Sequence, residues 1–230
     1  MSVILKTSNE TESKEGTPPA ESTVYELIRQ DILMNQLTAG VRLNISELAK
    51  RYGTSINPIR EALQQLRGEG LVLMTPNRGA SVRPIDGDFV RDIYEMATLI
   101  EPYLLRGFVN IATDADMAQL VKLNDDIEEN NFADQDLHCE LDSEFHRLMY
   151  QRHYNRHAVD MWWKHREILH ALSTQFPFSL SRRANILREH RELLAAINSQ
   201  DPDAAAEVLE NHVKGSGHHL IERLRSGQMR

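Results

Sequence analysis

Two amphipathic stretches in this chain lie so close together that only a tight turn can join them. Ile45, Leu48 and Ala49 recur at helical spacing and stop at Tyr52-Gly53. After Thr54, Ser55 and Ile56 a second stretch starts near Asn57-Pro58, with Ile59, Ala62, Leu63 and Leu66 on one face. Proline is harmless in a first helical turn, where its missing N–H would have had no partner. Asn44, three residues before Glu47, has the capping-box pattern for the first helix, and Gly68 and Gly70 close the second. Upstream, Val24, Leu27, Ile28, Ile32 and Leu33 mark a further helix ending near Asn35, followed by a turn at Leu37-Thr38-Ala39-Gly40. Downstream, Leu71-Val72-Leu73-Met74 and Ala80-Ser81-Val82 flank Thr75-Pro76-Asn77-Arg78-Gly79, the pattern of a hairpin with an Asn- and Gly-containing turn. Three helices and a hairpin with this spacing predict a winged helix-turn-helix over residues 21–84.

In such a module the third helix enters the major groove with its N-terminal residues at the base edges. That end carries Ser55, Asn57 and Arg60, with Gln64 one turn on. Arginine pairs bidentately with guanine, and Asn or Gln with adenine. Arg78 at the hairpin tip is placed for a minor groove or phosphate, while Lys50, Arg51 and Arg67 suit the DNA backbone.

The whole chain has a formal net charge of -8, which argues against a nucleic-acid partner until it is divided. Residues 20–84 hold 8 basic and 6 acidic side chains, a net of +2, whereas residues 85–230 hold 16 and 25, a net of -9. All ten histidines lie between His138 and His219. The two compositions predict two jobs, a DNA-reading head and an acidic body. Residues 1–20, rich in Ser, Thr, Glu and Pro, read as a disordered tail, and residues 85–88 as a linker. No run of 18 apolar residues offers a membrane span, and the first 19 residues lack the apolar core of a signal peptide. The single cysteine, Cys139, excludes an intrachain disulfide and fits a reducing cytoplasm; its setting predicts a small buried hydrophobe.

Residues 89–230 read as an all-helical bundle of six or seven helices. Apolar stripes run through Ile93, Met96, Ile100, Leu104 and Phe108, and through Met117, Leu120, Val121 and Ile127. Others run through Ala158, Met161, Trp162 and Leu169, through Ile186, Leu193, Leu194 and Ile197, and through Ala205, Val208 and Leu209. Four polar residues interrupt such faces. Asp142 and His146 stand one above the other at i,i+4 with Phe145 and Met149, His190 lies within the Ile186–Leu193 stripe, and His212 follows Val208 and Leu209. Unpaired burial of all four would cost several kcal/mol, on the order of a few per group. A divalent cation, zinc or nickel for example, satisfies them together, either in a closed tetrahedron or as one side of a larger coordination sphere. His153 and His157 share the i,i+4 spacing but fall off the inward face of the next stripe.

The run Pro58-Ile59-Arg60-Glu61-Ala62-Leu63-Gln64-Gln65-Leu66-Arg67-Gly68-Glu69-Gly70-Leu71-Val72 resembles the signature of GntR-type transcription regulators. Gly40 to Leu43, Ser46 to Ala49, Gly53 to Ser55 and Arg78-Gly79 resemble other segments of the same DNA-binding domain. Ile56 stands where that family usually has arginine, so its operator sequence is not carried over. Asp142-Ser143-Glu144-Phe145-His146, the helix from Glu189 to Ile197, and Asp203 to His212 resemble the FCD effector domain of the FadR-like subfamily. This resemblance implies that Asp142, His146, His190 and His212 are metal ligands, that a small organic acid binds beside the metal, and that the chain is a homodimer. Ala97 replaces the arginine usual on the helix from Asp92 to Glu101, which leaves Arg106, Arg147 and His165 as candidates to hold the effector.

The expectation is therefore a cytoplasmic, effector-responsive regulator that binds a palindromic double-stranded operator. A pure metal sensor is the first alternative. A metal-dependent enzyme is the second, disfavoured because no His-Glu-x-x-His, Gly-x-Ser-x-Gly or P-loop run is present.

Overall fold

A computed structural model of the chain describes residues 23–76 and 78–227. The expected tail at residues 1–20 and the turn residue Asn77 lie outside the described residues. Helix α1 (Val24–Leu33) starts in a capping box: Thr23 Oγ1 accepts from the Glu26 N–H, and the Glu26 carboxylate accepts from the Thr23 N–H at 2.6 Å. Helix α2 (Ile45–Arg51) is capped by Asn44, whose Oδ1 accepts from the N–H groups of Ser46 and Glu47. Gly53, at φ +63°, makes the left-handed turn into α3 (Ile56–Gly68), which begins one residue earlier than the sequence pattern suggests. The C-terminus of α3 is a Schellman motif: the Gly70 N–H donates to Arg67 O and the Leu71 N–H to Leu66 O, with Gly70 at φ +78°.

The hairpin forms from β2 (Val72–Thr75) and β3 (Gly79–Val82) in antiparallel register, Val72 opposite Val82 and Thr75 opposite Gly79. A third strand, β1 (Arg42–Leu43), pairs with the other edge of β3 and gives the order β1-β3-β2. Two residues are too few to show an alternating pattern, so β1 is invisible in the sequence.

Among the described residues the C-terminal part holds six helices: α4 (Gly87–Val109), α5 (Asp114–Asn130), α6 (Gln135–Tyr150), α7 (Arg156–Gln175), α8 (Leu180–Asn198) and α9 (Pro202–Gly227). Asp86 caps α4 through the Phe89 N–H at 2.9 Å, so the expected linker at 85–88 is shorter and runs straight into a helix. Helices α4 and α9 lie against each other closely enough that a Cβ on Gly217 would meet Tyr94 Cγ at 2.8 Å. The two parts share a core: Ile28, Leu63 and Val72 belong to the same buried cluster as Ile168 and Leu172 of α7 and Leu220 and Leu224 of α9. A second cluster, including Leu104, Leu120, Phe145 and Leu209, fills the bundle around the polar residues described next. No described helix is long and apolar enough to cross a membrane.

Candidate metal centre and nucleic-acid interface

Three helices converge on one polar point inside the bundle. Helix α6 brings Asp142 and His146 on a single face, α8 brings His190 and α9 brings His212. One ligand atom from each of the four lies within 4.8 Å of all the others. His146 and His190 are 1% and 0% exposed, so water does not reach them. His146 Nε2 and both ring nitrogens of His190 have no hydrogen-bond partner, although His190 Nε2 stands 3.3 Å from Asp142 Oδ1. Unsatisfied buried nitrogens cost about 1–3 kcal/mol each, so three of them together mark a place where a further partner fits.

The surroundings prepare these groups as ligands. Glu189 Oε2 lies 2.9 Å from His212 Nδ1, and Glu189 is itself held by Arg182 at 3.0 Å. That contact places the ring proton on Nδ1 and leaves the Nε2 lone pair free. His190 stacks on Phe145, with ring centroids 4.6 Å apart. His146 Nδ1 is 3.4 Å from the Tyr150 hydroxyl, which donates to Glu101 Oε2 at 3.0 Å. Burial lowers His212 to about 4 and holds His146 well below its usual value, so both are neutral near pH 7, as metal ligation requires. Burial acts to raise Asp142, but Arg166 and the neighbouring histidines outweigh it and keep the carboxylate ionised. Neutral imidazoles and one carboxylate with open lone pairs are a donor set that fits a divalent cation.

At the other end of the molecule, Asn57, Arg60 and Gln64 lie along one exposed face of α3, beside exposed Ser55. The Ser55 side chain makes no capping bond, so its hydroxyl is free for another partner. Lys50 and Arg78 are exposed nearby. Arg51 instead forms an ion pair with Asp31, and Arg67 donates to Gln64 Oε1 at 3.4 Å.

Two family descriptions match the chain: "Bacterial regulatory proteins, gntR family" over residues 20–82 and "FCD domain" over residues 92–215. The chain belongs to the GntR family of transcription regulators and carries an FCD domain. It is 26% identical over 206 residues to the HTH-type transcriptional repressor RspR of Escherichia coli K12, covering 86% of this chain and 87% of RspR. The solved structure of E. coli McbR/YncC, 18% identical, superposes with a TM-score of 0.66 over 87% of this chain and 96% of that one. A metal-free FCD domain of TM0439, 23% identical, superposes with a TM-score of 0.53 over 62% of this chain and 99% of that domain. At these identities the two structural likenesses are of fold alone. The family consists of transcription regulators, not enzymes, and no catalytic role is assigned here.

Within the FCD domain the four expected ligands come together, but the expected effector residues do not. Arg106 pairs with Asp203 at 2.9 Å on the outer surface. Arg147 pairs with Glu144 at 3.0 Å and lies over the Trp163 ring. His165 lines a small neighbouring cavity with Ala97 and Trp162 that shares Glu101 and Arg166 with the space beside the cluster. His153 is buried against Gly107, well apart from the cluster, and His157 is exposed. Cys139 is buried, and burial pushes its thiol up to about 12, consistent with the small inert hydrophobe expected. Two residues at the site escaped sequence reasoning. Arg166 reaches Asp142 from α7, and Glu101 stands 3.6 Å from His146 Nδ1 on α4. Both sit at helical spacing within apolar faces, Trp162–Arg166–Leu169 and Ala97–Glu101–Leu104, and that was the available signal.

Proposed function

We propose that this GntR/FCD regulator acts in the cytoplasm as a homodimer on a palindromic operator, and that a divalent ion, zinc or nickel, helps it bind a small organic acid that sets its affinity for DNA. The observation that carries the ligand-binding half is the set of unpartnered imidazole nitrogens on His146 and His190, within a cluster completed by Asp142 and His212. A bound dication would supply a positive centre for an anionic effector. The protein's own part is to hold Asp142 ionised and His146 and His212 neutral. Support for a dimer comes from α4, where Met96, Leu99 and Tyr103 form an exposed stripe at i, i+3 and i+7, with Leu99 70% exposed. Two copies would present two α3 helices, which is what a palindrome requires.

The DNA-reading set is Ser55, Asn57, Arg60, Gln64 and Arg78, with Lys50 and Arg51 toward phosphates. Gel shifts with DNA from the promoter adjoining its own coding sequence test this. Arg60→Ala is expected to weaken specific binding by about 10- to 100-fold, the worth of one bidentate base contact. Ile56→Ala should change it by less than about threefold, and equal loss in both variants would refute the assignment. Operator affinity that follows zinc or nickel alone, with no response to any organic acid, would favour the metal-sensor reading instead.

A further inference from the structure

The cavity beside the cluster contains a fixed cation that the four-ligand picture does not use. Arg166 is side-chain buried to 18% exposure and lines the same space as His138, Asp142, His146 and His212. Its Nη2 is paired with Asp142 Oδ2 and its Nε donates to Ser143 Oγ at 3.1 Å. A guanidinium has five N–H donors in a planar fork. The remaining donors, those on Nη1 among them, have no partner among the described residues, and the side chain also borders two neighbouring cavities. A second unpartnered group, Nδ1 of His138, is buried in the same wall. The enclosed part of the space is only about 40 Å³ and opens to solvent, so it takes no more than one small group reaching in from the mouth.

We infer that Arg166 is the carboxylate-binding residue of this cavity, and that its position against Asp142 makes carboxylate and divalent-ion binding mutually dependent. The inference rests on the metal reading above and adds to it a named residue and a sign. Arg166 is a permanent positive charge paired with one of the ligands, so it opposes the arrival of a dication at the same carboxylate. An organic anion that takes the free donors of Arg166 neutralises that charge and relieves the opposition. By linkage, the anion then tightens metal binding by the same factor as metal tightens anion binding. The ligand class is a small carboxylic acid with a further polar group, the latter facing His138.

Zinc titrated calorimetrically into the purified full-length protein, with and without malonate and corrected for zinc–malonate association, tests the claim. For the wild type, malonate should tighten zinc binding by about tenfold, within the usual range of coupling between sites. In Arg166→Met, which keeps the apolar stem, zinc alone should bind several-fold more tightly than to the wild type, and malonate should change it by less than about twofold. Arg166→Lys, with the charge but not the fork, should fall between the two. Malonate coupling that survives in both variants, or is missing from the wild type, overturns the role of Arg166. Weaker zinc binding in a folded Arg166→Met protein overturns it too, because a merely structural arginine would have that effect. Zinc binding that is absent from the wild type, or present but unchanged by Asp142→Ala, overturns the metal reading itself and this inference with it.

Discussion

Glu189 shows how a single carboxylate decides what a histidine can do. It accepts from His212 Nδ1 and is anchored by Arg182, so the imidazole presents Nε2 to the cluster. Glu189→Gln should retain the fold, since an amide oxygen still accepts from Arg182, but should leave the ring less firmly oriented. Zinc affinity by equilibrium dialysis is expected to fall about 10- to 100-fold, the usual effect of losing a partner behind a ligand; an unchanged value would mean that His212 is not a ligand. Asp142, His146, His190 and His212 could be read from sequence because each interrupts a face whose other members are apolar. Arg166 interrupts its apolar face in the same way, but a long cation in a stripe can also reach solvent, and only its partner shows that it turns inward. That partner is 24 positions away on another helix.

On α4 the expected stripe holds at Ile93, Leu104 and Phe108 but not at Met96. The apolar pattern runs through Met96 and Ile100, yet the inward line is Ile93, Ala97, Glu101, Leu104 and Phe108, while Met96 is 40% exposed. Ala97 and Glu101 take the buried places between Ile93 and Leu104, and neither a small residue nor a charged one marks an apolar stripe. The corrected face leaves Met96, Leu99 and Tyr103 outside, where a second copy would cover them. Leu99→Glu should therefore raise the dimer dissociation constant at least tenfold in sedimentation equilibrium while circular dichroism and the melting temperature stay close to wild type; a dimer as tight as before would place the contact elsewhere. Elsewhere the elements are well marked, because caps and turns are local: Asn44, Gly53 and Gly70 sit where their chemistry is needed. The two-residue strand β1 has no local signature and depends wholly on the edge of β3.

At the scale of the molecule, the division into a basic head and an acidic body was legible as charge, but their shared core was not. Each part has an amphipathic pattern that looks satisfied by itself, and only the fold shows α7 and α9 contributing to the core of the head. The buried histidines predict how the whole protein responds to acid. Burial lowers both His138 and His212 to about 4, against about 6.5 in an unfolded chain. Between those values the unfolded state binds more protons, so stability is full above pH 6.5 and is lost as pH falls toward 4. Buried His146 adds to this loss, while Glu101, raised by burial to about 7, gains a proton on folding in the same window and offsets part of it, so the net change by pH 5 is a loss of stability in the metal-free protein. Urea midpoints measured with a chelator at pH 7.5 and 5 should show that drop, and equal midpoints would contradict the buried, neutral state. Arg29 of α1 bonds Glu167 at 3.2 Å and the Lys164 carbonyl at 3.4 Å, while Glu69 at the end of α3 pairs with the same arginine at 3.1 Å. Glu167 is the residue next to Arg166. Adjacent side chains on an α-helix diverge by about 100° around a common axis. One looks into the cavity beside the histidine cluster and the other grips the DNA-reading head, so α7 is the shaft they share, and any roll of it at Arg166 would turn Glu167 against Arg29.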